Sequence, residues 1–397
     1  MRWKYCFNVD PDEDRARKEI EKRITSFWEG FVRDCEQIGS RIHGYQAREN
    51  VDWLVNWMKS HLQAIHPELM WEFGPAVDKD GMFLVISPEG RRNLRPLTEK
   101  ILSYAPNLST WEFYGYRPPV RDFKNALMKI AGRTASNFMD VYFKGKIGET
   151  NKIDLTFYSD SYPKSKDYNE NLGAIWTAIE TLCGEEFLDK SLGIIDFKKV
   201  KKKELEKLEH ISSLKESAEK LIKIARETLP SSPYYLLSDD LKYSVLEFKP
   251  EKMETYPKRT DIFLLNTLGI FTNMFRDGEK EFDSIRFSNF GEIFAYLKIE
   301  GTGLTTQEKF DKRNELSDII DKALRSQELG CTIGGALGYR YYYVDLALFK
   351  PEIGIKNIRD TLTEKDIVKE AWLLFFDSDL EDEWVGYYDD CPPPPKD

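Results

Sequence analysis

The segment Cys331 to Phe349, CTIGGALGYRYYYVDLALF, constrains this chain more than any other stretch. It reads as a short strand, a turn region at Gly334 and Gly335, and a second strand dense in tyrosine. One amphipathic run ends before it near Arg325 and another begins after it near Ile355. The segment is therefore expected to form the central hairpin of a strand-helix-strand-strand-helix-strand module. Around it the pattern predicts a strand over 292–299, a helix over 307–325, the hairpin over 329–349, a helix over 355–367 and a strand over 371–376.

The first half carries a related pattern behind a helical opening. Ile20, Ile24, Phe27, Phe31 and Ile38 recur near helical period, and so do Val51, Leu54, Val55, Met58, Leu62 and Ile65. Pro67 ends the second run, because the residue before a proline is pushed out of the helical region. Extended runs follow at 69–73, 82–87, 111–117, 138–144, 152–158 and 192–197, with helices over 93–104 and 171–181. The expected fold is α+β: two ferredoxin-like α/β sandwich halves behind an N-terminal helical segment. The boundaries are 1–67 for the helices, 68–200 for the first half, 201–232 for a helical connector, 233–378 for the second half and 379–397 for an acidic, proline-rich tail expected to be exposed or disordered.

FLVISPEG in one half echoes AYLKIEG in the other, and KIDLTFYSD echoes YVDLALFKP, so an internal duplication is one reading and chance resemblance of short apolar strands is the other. Strand side chains alternate between faces. Ile293, Ala295, Leu297 and Ile299 then join Val344, Leu346 and Leu348 in a helix-covered core, which leaves Phe294, Tyr296, Tyr341, Tyr343 and Asp345 on the opposite face. In the first half Ile153, Leu155 and Phe157 form the core, leaving Tyr114, Tyr116, Tyr142, Asp154 and Tyr158. Such a tyrosine-rich face can pack against the other half, bind a protein, or stack bases.

Charge and composition remove several function classes. A formal net charge of −10 argues against general phosphate-backbone binding, and the basic run from Lys198 to Lys203 is followed by glutamates that cancel part of its field. The five cysteines are spread without a CxxC pair, which fits a reducing, cytoplasmic setting and no disulfide framework. No run approaches the roughly 20 apolar residues that span a bilayer, and the first residues lack the apolar core of a signal peptide. His61 and His66 do not share a helix face and His43 and His210 stand alone, so neither a metal site nor a cofactor is expected. No catalytic or phosphate-loop motif occurs; Gly334-Gly335-Ala336-Leu337-Gly338 lacks the following lysine and enters a strand, so it reads as a hairpin or bulge.

Ser26 to Phe31 (SFWEGF), Ser103 to Pro119 (SYAPNLSTWEFYGYRPP) and Leu182 to Phe187 (LCGEEF) together resemble an uncharacterised family of bacterial cytoplasmic proteins. The resemblance covers residues 26–197, and the 334–348 hairpin is similar to strands of other uncharacterised bacterial domains with ferredoxin-like folds. It implies a bacterial, cytoplasmic origin and supplies no catalytic residues. The leading expectation is a non-catalytic binding or regulatory protein, an immunity role being one form, whose partner is another protein met through Tyr341, Tyr343, Asp345, Phe294, Tyr296, Tyr114, Tyr116, Arg117 and Asp154. One alternative is a hydrolase or transferase using Asp154, Asp345 and Arg117 in a pocket between the halves; Glu89, Arg91, Arg92 and Arg117 are also candidates to line a polar groove. The other is RNA binding through the tyrosine face.

Overall fold

The computed structural model describes residues 1–7, 10–43, 48–134, 138–159, 168–237, 241–250, 256–277, 281–363 and 370–396. By its internal contacts the chain divides into two units, residues 15–225 and residues 1–14 together with 226–397. This division differs from the one expected: the opening residues belong with the C-terminal half, and the connector segment up to residue 225 belongs with the first.

In the unit 15–225, helix α1 (Pro11–His43) and helix α2 (Arg48–His61) follow the predicted apolar spacing. Ile24, Phe27, Phe31 and Ile38 are all buried. The rings of Phe27, Trp28 and Phe31 form one aromatic layer, with Phe31 centred 4.9 Å from Trp111 and Trp28 4.8 Å from Phe113. Beneath it lies a three-stranded sheet in which β1 (Met70–Pro75) is antiparallel to β2 (Met82–Ser87). Helix α3 (Arg95–Ser103) leads to β3 (Trp111–Tyr114), which runs parallel to β2.

A second sheet occupies the rest of this unit. Helix α4 (Phe123–Thr134) precedes the hairpin of β4 (Tyr142–Ile147) and β5 (Ile153–Ser159). Helices α5 (Tyr168–Cys183) and α6 (Glu185–Lys190) lead to β6 (Leu192–Lys199), parallel to β5. Then come α7 (Lys202–Leu205), β7 (Glu209–His210) and α8 (Leu214–Glu227), where a single connecting helix was expected. The sheet order is β6-β5-β4-β7. Ile153, Leu155 and Phe157 alternate into a core shared with α4, α5 and α8, as the period-two pattern predicts.

The C-terminal unit is built on one seven-stranded sheet, β14-β13-β10-β12-β11-β9-β8. Its strands are β8 (Tyr243–Glu247), β9 (Ile262–Leu268), β10 (Ile293–Glu300), β11 (Gly330–Gly338), β12 (Tyr341–Leu348), β13 (Ala371–Phe375) and β14 (Trp384–Gly386). Helix α9 (Thr272–Asp277) follows β9, α10 (Thr306–Ser326) follows β10 and α11 (Pro351–Thr363) follows β12. The four middle strands run β13-β10-β12-β11, all pairs antiparallel. Ala295, Leu297, Ile299, Val344, Leu346 and Leu348 share the core under α10 and α11, the face assigned from alternation. The chain is thus a mixed α+β protein, but its two units differ in topology: the first splits its strands between two sheets, each with a parallel pair, and does not repeat the all-antiparallel order of the second.

Gly334 and Gly335 are not the turn. They lie inside β11 at a bulge between Thr332 and Gly334, and the chain reverses at Tyr339 and Arg340. Gly334 has φ 132°, and a Cβ there would stand 2.2 Å from the Asn266 carbonyl oxygen of the neighbouring strand, so only glycine fits.

The tail is also packed. Val385 and Tyr387 are buried, β14 extends the sheet, and the Trp372 indole donates to the Pro392 carbonyl at 2.6 Å. The Glu383 carboxylate accepts from the Trp3, Lys4 and Tyr5 amides at 2.5, 3.1 and 3.0 Å, and the Tyr5 ring stacks 4.6 Å from Phe375. Buried acceptor and apolar rings, not local composition, decide that both chain segments order here.

Candidate functional site

Most of the residues expected to meet a partner lie in the interior. Tyr296, Tyr341, Tyr343 and Phe294 are 4%, 1%, 0% and 0% exposed. They do share one sheet face, but segments of the same unit cover it: Tyr256, Phe275, Phe376 and Trp372 pack against the tyrosines, and Phe271, Phe282 and Phe287 against Phe294. As folded, none of these side chains offers surface to a protein or a base.

Asp345 sits at the centre of that face. Its carboxylate meets Arg259, with Nη1 3.0 Å from Oδ1 and Nη2 donating to Oδ2 at 3.2 Å. The guanidinium lies 4.8 Å from the Tyr296 ring centre, 5.2 Å from Tyr343, 5.1 Å from Phe376 and 5.6 Å from Phe275. Arg259 Nε makes no hydrogen bond, so the ring faces stand in for the missing acceptor. Burial pushes the Asp345 carboxyl up, and Arg259 and Arg313 oppose the shift. Nearby, buried Asp261 accepts from the Arg340 and Tyr341 amides at 2.9 and 2.8 Å and from the Tyr343 hydroxyl. Arg259, Asp345 and Asp261 are each engaged by other residues of the same unit.

In the first unit the expected tyrosine face does not form, because its members belong to different sheets. The Tyr114 hydroxyl donates to Glu112 at 2.8 Å, and the Tyr116 ring carries the Arg95 guanidinium at 3.7 Å and Lys190 at 5.2 Å. Asp154 is on the other sheet, where it accepts from the Ile194 amide at 2.8 Å and pairs with Lys146 at 3.4 Å.

Arg117 is the candidate that the fold places at an opening. It lines a cavity of about 400 Å³ walled by Pro75 at the end of β1, Val77 after it, Phe83 of β2, Pro118 to Val120, and Met128, Lys129 and Arg133 of α4. Its Nε lies 2.8 Å from Glu72, while its other nitrogens hold Glu89 and Glu180. Arg133 reaches Glu72 and Glu180 at 3.4 Å each. The Arg117 backbone amide donates to Glu185 at 2.9 Å, and Glu185 also binds the Ser87 hydroxyl and Arg95. Burial alone would lower the Arg117 guanidinium, but Glu180, Glu185 and Glu72 outweigh it and hold it charged. Of the four residues expected to line a polar groove, Glu89 and Arg117 pair with each other, whereas Arg91 pairs with Glu68 and Arg92 reaches the Asp189 carbonyl; of the four, Arg117 alone lines the cavity.

Asp154 is absent from the walls of this cavity, and the Asp345 side chain is 2% exposed in its own unit. The catalytic trio weighed from sequence is thus engaged in three separate sets of contacts. What sequence reading missed is α4, which supplies Met128, Lys129 and Arg133. Its signal was present: Asp122 accepts from the Lys124 amide at 2.8 Å as an N-cap, and Ala126 and Ile130 are buried one turn apart.

Among the described residues no group of histidine, cysteine, aspartate and glutamate side chains is arranged to hold a metal ion, and no helix is long and apolar enough to cross a membrane. His61 stacks on Trp57 at 4.1 Å, and His210 Nε2 donates to the Met139 carbonyl at 2.8 Å. All five cysteines are free thiols. No family model matches the chain, and neither a curated protein nor a solved structure matches it.

Proposed function

We propose that this chain is a non-catalytic, cytoplasmic binding or regulatory protein, and that its docking site for a partner protein is the Arg117 cavity. The observation that carries this reading is a roughly 400 Å³ opening with apolar, proline-fixed walls over a floor of saturated ion pairs. A floor in which each arginine already holds carboxylates supplies no free base or nucleophile, but it fixes the shape of the opening. Met128 stands 64% exposed at the rim, and Lys129 beside it has no ion-pair partner among the described residues. That combination suits an apolar side chain flanked by an acidic group. An immunity-type role is one form of this function, and the five free thiols agree with a reducing compartment.

The strand order β13-β10-β12-β11, with a helix after β10 and another after β12, supports a ferredoxin-like framework for the C-terminal unit, widened by β14 on one side and by β9 and β8 on the other. The buried tyrosines then serve that framework and not a ligand.

The test is affinity capture with the tagged protein from lysate of its native host, with and without nuclease, comparing wild type with Met128→Glu and Lys129→Glu. Both positions are exposed on α4, so the variants should unfold at the wild-type temperature. A stoichiometric, nuclease-resistant partner held by wild type and lost by both variants supports the reading. Equal capture by all three moves the site away from the cavity, and a partner that disappears with nuclease replaces a protein ligand with RNA.

A further inference from the structure

The proline run of the tail has no role in either unit's core, yet it is held in place. Pro392 to Pro395 are four successive prolines. Each ring fixes φ near −65°, and each proline forces the residue before it into the extended region, so the run is a left-handed polyproline helix with about 3 residues per turn. Its start is anchored twice: Cys391 is 9% exposed with its amide donating to the Tyr388 carbonyl at 3.2 Å, and the Trp372 indole donates to the Pro392 carbonyl at 2.6 Å.

A three-residue period sorts the run into three ridges. Pro392 and Pro395 form one, Pro393 and Lys396 a second, and Pro394 the third. Pro392, Pro393 and Lys396 are exposed, while Pro394 and Pro395 are half-buried. The Pro393/Lys396 ridge is therefore exposed along its length, the Pro392/Pro395 ridge is exposed at Pro392 and half-buried at Pro395, and Pro394 is half-buried. Charge is also polarised along the run, with Asp389 and Asp390 before it and Lys396 after it.

We infer that Pro392 to Lys396 is a recognition element for a protein domain that reads polyproline helices through an aromatic-lined groove with an acidic pocket at one end. Such grooves grip two prolines spaced i and i+3 on one ridge, and a flanking cation sets the direction of the bound chain. Here the ridge Pro392/Pro395 and the cation Lys396 supply that pattern, with the run already ordered by its anchor, so little ordering entropy opposes binding. This surface belongs to the C-terminal unit and does not depend on the Arg117 cavity.

The test titrates the full-length, isotope-labelled chain with a panel of isolated SH3-type domains as probes, following the amides of Asp390, Cys391 and Lys396. Saturable shifts confined to these residues are expected with at least one domain, and Pro395→Ala and Lys396→Glu should each weaken binding about tenfold. The Trp372 indole resonance reports whether each variant keeps the anchor. Met128→Glu, at the cavity in the other unit, should bind the probe like wild type, so failure here and failure of the cavity reading are separate results. Absence of shifts with every domain at millimolar concentration, or unchanged affinity in both tail variants, overturns the inference.

Discussion

Arg117 and Arg259 are both arginines held by carboxylates, in opposite surroundings. Arg117 meets Glu72, Glu89 and Glu180 at the floor of an open cavity, with 22% of its side chain exposed. Arg259 meets Asp345 alone beneath four aromatic rings, with side chains 10% and 2% exposed. Where water reaches an ion network, each pair is screened and the redundancy of partners keeps the geometry; where water is excluded, a single pair must satisfy both charges. The contrast teaches that the sealed pair specifies the interior of its unit, while the open network shapes a surface.

The largest expected effect is at the sealed pair. Arg259→Met or Asp345→Ala alone leaves a buried charge uncompensated and should cost about 3–5 kcal/mol. Replacing both, as Arg259→Met with Asp345→Leu, should recover most of that loss, because the remaining space is lined by apolar rings. Denaturant midpoints of the C-terminal unit for the two singles and the double measure the coupling. Singles as mild as the double would show that the pair is not sealed, and the comparison would fall.

A second carboxylate of the same unit sharpens the contrast through pH. Burial pushes the Asp377 carboxyl up to about 6, against hydrogen bonds from the Ser284 amide and hydroxyl, with Asp283 and Asp379 adding to the rise. Its folded value lies above its unfolded value of 3.8, so between roughly pH 4 and 6 the folded state binds more protons. Stability contributed here is present on the acid side and is lost as pH rises through about 6, by on the order of 3 kcal/mol at the upper limit. Hydrogen exchange at the Ser284 amide, which donates to Asp377 at 2.7 Å, should therefore show greater protection at pH 5 than at pH 7 after correction for the intrinsic rate. Asp377→Asn should flatten that difference; a difference that persists in the variant assigns it to another group.

The smallest effects belong to the open network. Arg117→Lys keeps the charge but removes the planar fork that spans three glutamates, and should cost about 1–2 kcal/mol, since exposure screens part of each contact. Glu89→Gln, at the most exposed partner, should stay within about 0.5 kcal/mol of wild type. Thermal unfolding of the first unit ranks the two. A Glu89→Gln loss as large as that of Arg117→Lys would mean the network behaves as a buried one.

Much of the C-terminal unit was legible in the sequence. Alternation placed Leu297 and Val344 on the helix-covered face and Tyr296, Tyr343 and Asp345 on the other, and both assignments hold. The candidate site was legible only in part: Glu89, Arg91, Arg92 and Arg117 were expected to line one groove and only Arg117 lines the cavity, while α4, which closes it, was missed because its buried face is only Ala126 and Ile130. The tyrosine face was identified but its use was open, since tyrosine suits a core as well as a contact surface.

Local periodicity fixed the elements from β10 to β13 and which of their side chains turn inward, because those depend on spacing along the chain, while it left the state of 262–275 open. Tertiary structure alone decided what covers each face. It brought Tyr256, Phe275 and Phe376 over the tyrosines, seated Trp3, Lys4 and Tyr5 on Glu383 more than three hundred residues away, and ordered a tail whose composition reads as exposed. Burial is a property of pairs of surfaces, and a sequence shows one partner of each pair at a time without saying which distant segment supplies the other.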